Sequence, residues 1–229
     1  MEKYTVVIPA AGQGKRMKAG KNKQFLLIDQ IPLLIHTLRV FEEDILCHSI
    51  ILVVNKQELK EVEKLIETYK INKVDKLVIG GKERQESVYE GLKVIEGNPI
   101  VLIHDGARPF VQHSVIHNLI HKVVEKGAAI VATPVKDTIK QAVDGIVEKT
   151  VHRNNLWSIQ TPQGFRYNKI VKGHQEAEKQ DFFGTDDASL MEFIGEKVYI
   201  VEGDYENIKI TTPEDILYGE AIIEKRKGE

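Results

Sequence analysis

The sequence predicts an α/β fold: a mostly parallel sheet with flanking helices, to which a protruding β-arm is added. Three observations carry this expectation. Short apolar, β-branched runs alternate with stretches of helical spacing through residues 4–133, the pattern of strand–helix–strand units with right-handed crossovers. The apolar runs are nearly continuous, as in strands covered on both faces. The alternation then breaks at Asp144-Gly145, a hairpin turn signal between two extended runs.

The elements follow in order. Val6-Val7-Ile8-Pro9 forms the first strand and feeds Ala10-Ala11-Gly12-Gln13-Gly14, then a loop carrying Lys15, Arg16, Lys18, Lys21 and Lys23. From Gly12 to Ile28 no Asp or Glu offsets these charges. Ile31-Pro32 opens a helical pattern in which Leu34, Leu38 and Phe41 recur near every 3.6 residues. Residues 50–54 form the second strand, 58–69 an amphipathic helix, and 76–79 a third strand ending in Gly80-Gly81. A helix over 83–95 leads to a fourth strand at 100–104, and a helix over 114–125 to a fifth at 128–133. The two runs at 137–143 and 146–151 make the hairpin. A two-stranded ribbon is marginal in water and needs another surface, for which a second copy of the chain is the first choice. A helix near 167–179, short strands at 198–201 and 207–210, and a final helix follow. That last helix carries Thr212 as N-cap, Pro213 at its first position and Asp215 completing a capping box.

At 229 residues and net charge −2, the chain fits one domain over 1–229, with an arm at about 136–156, and gives no general case for nucleic-acid or membrane binding. One cysteine, Cys47, excludes an internal disulfide and fits a reducing, cytoplasmic setting. No apolar run approaches a membrane span.

In open α/β sheets ligands sit outside the carboxyl ends of the strands. Those ends carry the loop from Ala10 to Lys23, Gly80-Gly81, the stretch from Asp105 to Arg108 and the segment near Lys209. The loop suits a polyphosphate, since glycines let backbone N–H groups approach anionic oxygens and the cations then meet them. It is neither of two common motifs: Met17 stands where a dinucleotide fingerprint wants a small residue, and Asn22 follows Lys21 where a P-loop wants Ser or Thr. A strand-to-helix turn with a solvated basic face is the plain alternative. Such a glycine- and lysine-rich loop is expected to be mobile without nucleotide. Asp105 is either a contact for Mg²⁺ or a turn residue capping the next helix. Gly80-Gly81 with Ser87 either reads a base edge or caps a helix. His113, His117 and His121 share a helix face, but no further ligand completes a metal shell. No Gly-x-Ser-x-Gly elbow is present. Phosphoryl or nucleotidyl transfer needs no protein nucleophile, only positioning and positive charge.

These residues resemble a known family. The stretch Ile8-Pro9-Ala10-Ala11-Gly12-Gln13-Gly14-Lys15-Arg16-Met17, with Lys23-Gln24-Phe25, is similar to the signature loop of sugar-phosphate nucleotidyltransferases. His104-Asp105-Gly106-Ala107-Arg108-Pro109-Phe110, Arg153-Asn154-Asn155-Leu156-Trp157, Gln160-Thr161-Pro162-Gln163 and Asn207-Ile208-Lys209-Ile210-Thr211 narrow it to the 2-C-methyl-D-erythritol 4-phosphate cytidylyltransferases of the non-mevalonate isoprenoid pathway. The related ribitol-5-phosphate cytidylyltransferases are the alternative; they usually show Ala-Gly-Gly where this chain has Ala10-Ala11-Gly12, and lack the segment 153–157. The resemblance implies a Rossmann-like sheet of the nucleotide-diphospho-sugar transferase type, and CMP transfer from CTP to methylerythritol phosphate with release of pyrophosphate. It implies a CTP pocket from Ala10, Ala11, Gly12, Gly80, Gly81 and Ser87. Arg16, Lys23, Arg153 and Lys209 would be catalytic cations. Asp105, Arg108, Thr138, Thr161 and Thr185 would bind the acceptor, with Asp105 also contacting Mg²⁺ or another divalent cation. Thr138 and Arg153, on or beside the arm, would reach into a second copy, making a homodimer the working unit. Gly106, where many members have Ala, is a mild departure.

Overall fold

The computed structural model describes residues 2–12 and 23–228. Arg16 and the rest of 13–22, with the expectation of loop mobility, lie outside the described residues, as does the side chain of Lys23.

The chain opens with β1 (Tyr4–Pro9) and, after a 3-10 turn at Lys23–Phe25, a small hairpin of β2 (Leu27–Ile28) and β3 (Ile31–Pro32). Then α1 (Leu33–Glu43) leads to β4 (Cys47–Val54), α2 (Leu59–Thr68) to β5 (Val74–Ile79), and α3 (Arg84–Lys93) to β6 (Ile100–Ile103). After α4 (His113–Lys126) and β7 (Ala128–Pro134) comes a separate ribbon, β8 (Ile139–Val143) with β9 (Ile146–Val151). β10 (Trp157–Arg166), α5 (Tyr167–Lys179), α6 (Asp187–Phe193), β11 (Tyr199–Glu202) and α7 (Pro213–Lys227) complete it.

The main sheet has seven strands in the order β11-β7-β10-β6-β1-β4-β5. Every neighbouring pair is parallel except the two made by β10, which runs against β6 and β7. The period-2 alternation of β1 explains how both faces are covered. Val6 and Ile8 face Leu34, Leu38 and Phe41 of α1 in one apolar cluster, and Val7 faces Val88 and Leu92 of α3 in the other. Helix α3 lies close on the sheet: a Cβ at Gly91 would come within 2.7 Å of Val7 and 2.8 Å of Val53.

Three local readings need correction. Ile31-Pro32 does not open a helix; it is the second strand of a hairpin whose turn, Asp29-Gln30, has φ of 50° and 63°. Polar Asp and Gln adopt this left-handed turn without a glycine to announce it. Strands β4 and β5 start earlier than their apolar runs, because pairing of Cys47 with Tyr4 and of Val74 with Ile50 extends past the continuous core stretch. Residues 207–210 are not a strand. Only Ile210 N–H reaches a neighbouring element's backbone, the Ala107 carbonyl at 2.9 Å, and the segment is held instead by the buried Asn207 side chain.

The cap signal of the last helix worked as expected. Thr212 and Asp215 form the expected capping box of α7; a second box, Asp186 with Ser189 at α6, was not among the expectations. Asp144 and Gly145 take φ of 50° and 80°, the turn expected between β8 and β9.

Candidate active site

Strand β6 leads directly into His104 and Asp105, in the middle of the sheet and at its carboxyl edge. Asp105 is 8% exposed and accepts contacts from three cations: Arg84 Nε at 3.1 Å from Oδ1, Lys209 Nζ at 2.6 Å from Oδ2, and Arg108 Nε at 3.9 Å. Burial works against its charge, but Arg84 and Lys209 overcome that cost and hold the carboxyl well below the ordinary carboxylate range. The capping alternative is set aside, since α4 begins eight residues later with Gln112 before it.

Arg84 also reaches Asp187 Oδ2 at 2.8 Å, so one guanidinium joins the end of β6 to the start of α6. Burial raises the Asp187 pKa, and the Arg84 charge works against that rise. Sequence reasoning missed Arg84, Asp187, His104 and Asn207. A signal for Arg84 was present: a cation at the first position of a helix opposes the helix dipole, so its charge serves something outside the helix.

Three of the expected CTP-pocket residues meet. A Cβ at Gly80 would lie 2.6 Å from Ala11 Cβ and 2.7 Å from Ser87 Oγ, so the absent side chain at Gly80 lets these segments close together. Ala10 N–H and Gly80 N–H extend the ladder to the carbonyls of Val53 (2.7 Å) and Val54 (2.9 Å), which fixes both turns at the sheet edge. The Ser87 hydroxyl donates to the Glu83 carbonyl at 3.0 Å, and Glu83 with Glu86 caps α3. Among the described residues, a Cβ at Gly12 would meet nothing within 4 Å, whereas a Cβ at Gly81 would meet Glu86 Cβ at 2.5 Å.

Thr161 is buried, accepts the Asp105 N–H at 3.0 Å and lies 3.2 Å from His104 Nδ1. The register of β10 shifts between Ile159 and Gln163, which takes Gln160 and Thr161 out of the ladder and lets them serve the site. Thr185 is exposed before the cap of α6; Gln85 accepts from Gly184 N–H at 2.8 Å and donates to the Phe182 carbonyl at 3.0 Å, tying that segment to α3. Thr138 and Arg153 are exposed near the arm, and Arg153 donates to the Lys136 carbonyl. No contact joins either residue to Asp105 among the described residues.

The histidine row is structural. His113 donates to the Val40 carbonyl at 2.7 Å, His117 meets Asp44 at 2.9 Å, and His121 is exposed. Cys47 is buried and its thiol pushed up to about 12, chiefly by that burial, so it is no nucleophile. Among the described residues no group of three or more His, Cys, Asp or Glu is placed to hold a metal. Asp105, with cations on both oxygens, does not fit a resident divalent ion, because Mg²⁺ held by one carboxylate needs the substrate's phosphates as further ligands. No helix among the described residues is long and apolar enough to cross a membrane.

Comparisons agree with this architecture. The family model described as IspD, 2-C-methyl-D-erythritol 4-phosphate cytidylyltransferase, matches residues 4–225. The chain is 52% identical to the enzyme of that name from Bacillus pumilus, over 98% of this chain and 99% of the relative, and 54% identical to that from Bacillus licheniformis, over 98% and 97%. Among solved structures, the 4-diphosphocytidyl-2C-methyl-D-erythritol synthase of Anaerococcus prevotii superposes with a TM-score of 0.85 at 33% identity, covering 97% of this chain and 96% of that one. The cytidylyltransferase of Thermus thermophilus gives 0.79 at 30% identity, covering 98% and 100%. With a site of clustered cations at the carboxyl edge and this match along nearly its whole length, the chain belongs to the 2-C-methyl-D-erythritol 4-phosphate cytidylyltransferase family.

Proposed function

We infer that the protein transfers CMP from CTP to 2-C-methyl-D-erythritol 4-phosphate, giving 4-diphosphocytidyl-2-C-methyl-D-erythritol and pyrophosphate, a step in isoprenoid precursor biosynthesis. The observation that carries this reading is the Asp105 cluster. One ionised carboxylate holds Lys209, Arg84 and Arg108 beside the turn where Ala11, Gly80 and Ser87 meet.

The acceptor phosphate monoester is already anionic at neutral pH. Its oxygen attacks the α-phosphorus of CTP in line; the new O–P bond forms as the bond to the β-phosphate oxygen breaks, and pyrophosphate leaves with that electron pair. No general base is needed. The barrier is repulsion between anions, which Lys209, and Arg16 and Lys23 from the basic loop, lower by meeting the charge at the α-phosphate. Ala10, Ala11, Gly12, Gly80, Gly81 and Ser87 make the CTP pocket, whose small residues and backbone groups suit a pyrimidine. Asp105, Arg108, Thr161 and Thr185 line the acceptor side.

A divalent cation such as Mg²⁺ belongs to the substrate. It would arrive with the triphosphate and supply further positive charge there, and Asp105 would be the protein group to meet it. Homodimerisation through the arm at about 136–156 is supported by Val143, Ile146 and Val147, which are 53, 72 and 56% exposed on a ribbon outside the main sheet. It would bring Thr138 and Arg153 to the site of a second copy. The bacterial relatives support a cytoplasmic setting.

Pyrophosphate release from CTP and Mg²⁺ tests the reading. Release is expected with methylerythritol phosphate and not with ribitol 5-phosphate; release only with the latter would move the acceptor assignment to the alternative sugar.

A further inference from the structure

Three segments meet at the site without being joined by a β-ladder at the point of contact: the stretch after β6 (104–108), the unpaired stretch of β10 (160–161) and residues 207–210. Four hydrogen bonds connect them in a closed loop. His104 Nε2 donates to the Arg108 carbonyl at 2.8 Å, since a carbonyl only accepts. Arg108 Nη1 donates to the Asn207 carbonyl at 2.7 Å. Asn207 Nδ2 donates to the Thr161 carbonyl at 2.9 Å. The Thr161 hydroxyl lies 3.2 Å from His104 Nδ1 and donates to it, because that nitrogen is the acceptor of an imidazole carrying its proton on Nε2. The loop is thereby complete, and three of its four corners are buried: His104, Asn207 and Thr161 are 0, 1 and 6% exposed, while Arg108 is partly exposed.

The loop is tied to the reacting groups at two places. Thr161 Oγ1 accepts the backbone N–H of Asp105 at 3.0 Å. Asn207 stands two residues before Lys209, whose ammonium rests 2.6 Å from the Asp105 carboxylate. Around it, Gln160 accepts from Asn207 at 3.1 Å and donates to the Asp204 carbonyl at 2.8 Å, so the segment that carries Lys209 is fixed from its amino side. The Ile210 N–H bond to Ala107 fixes it from the other. Each corner is a side chain bonded to the backbone or side chain of another segment, so removing any one opens the whole loop.

We propose that His104 and Asn207 are positioning residues for the cytidylyl transfer, closing a buried hydrogen-bond ring with Arg108 and Thr161 that sets Lys209 against Asp105. This rests on the cytidylyl-transfer reading. Misplacing a reacting or charge-stabilising group by about 1 Å can cost roughly 10²-fold in rate, so a ring that sets the place of Lys209 governs turnover through it.

The test places Asn207→Ala, His104→Ala and His104→Gln in the otherwise unaltered protein and in Lys209→Ala, and measures kcat and KM for both substrates by pyrophosphate release. In the unaltered background Asn207→Ala and His104→Ala should lower kcat by at least about tenfold. With Lys209 already removed, the same changes should cost less than about twofold, because the ring acts through that ammonium. His104→Gln, which keeps a donor for the Arg108 carbonyl, should recover part of the His104→Ala loss. Equal losses in both backgrounds, or losses confined to KM, would overturn the proposal. Where His104→Ala does not fold, His104→Gln and Asn207→Ala carry the same comparison. A crystal structure of Asn207→Ala gives a readout free of activity: a Lys209–Asp105 contact left in place would overturn the ring as the positioning device. If the unaltered protein released no pyrophosphate with methylerythritol phosphate, the reaction would be misassigned, and that crystal structure would still decide the ring.

Discussion

Asp105 is nearly buried yet ionised, because each of its oxygens faces a cation, Arg84 on one and Lys209 on the other, and Arg84 is itself anchored on Asp187. Lys209 is therefore held at the sheet edge before any substrate arrives. By analogy with loss of one oxyanion donor, Lys209→Ala should lower kcat by roughly 10²–10³, about 3–4 kcal/mol, in a protein that still folds but melts lower, since Asp105 loses one of the cations that offset its burial. An unfolded variant, or one with full turnover, would contradict its assigned role. The glycines separate by what surrounds them. A Cβ at Gly106 meets Ile8, Ala10 and Leu34 only at 3.4–3.6 Å, so Gly106→Ala should be neutral or stabilising by up to about 1 kcal/mol in chemical denaturation. Gly80→Ala should instead push Ala11 and Ser87 apart and raise the KM for CTP several-fold. Equal effects at the two positions would refute the pocket geometry.

At the scale of elements, the arm and the short α6 carry the sharpest expectations. The arm's exposed apolar residues are those that a second copy would cover. Ile146→Asp with Val147→Asp should convert a dimer to a monomer in sedimentation while far-UV circular dichroism stays the same. An unchanged sedimentation profile would exclude the arm from the interface. Most of this architecture was legible because its signals are local: the Asp144-Gly145 turn, the Thr212–Asp215 box and the continuous apolar run of β1 each need only a few residues. What escaped was non-local. The 207–210 segment is rich in β-branched residues, but Asn207, Arg108 and Thr161 bind it through side chains rather than a ladder, and no sequence window spans those three positions. Arg84 and Asp187, 103 positions apart, escaped for the same reason. Gly80 and Gly81 stood out in the sequence as a pair at a strand end, and the close approach of Ala11, Ser87 and Glu86 is what leaves no room there for a side chain.

Across the whole molecule, a net charge of −2 coexists with a local cluster of cations at one sheet edge, which is what an enzyme joining two anionic substrates requires. Two buried histidines give the fold a pH dependence of known sign. Burial lowers His104 to about 4 and His174 to about 3. Both are neutral when folded and take up protons when unfolded at their ordinary value near 6.5. Stability is thus full at neutral pH and falls as pH drops below about 6.5, by about 1.4 kcal/mol per pH unit for each group until its folded value is reached. His174 stacks on Tyr89 at 5.1 Å and its Nε2 has no hydrogen-bond partner among the described residues, so His174→Phe should keep the melt at pH 7 and flatten its decline toward pH 4. A decline as steep as before would remove His174 from that account. The central claim, that the Asp105 cluster serves CMP transfer to a methylerythritol phosphate, meets its most direct test in pyrophosphate release from CTP and Mg²⁺ with the two acceptors side by side. Release with methylerythritol 4-phosphate and none with ribitol 5-phosphate is the result expected. Release with neither, from a folded protein, would contradict the account.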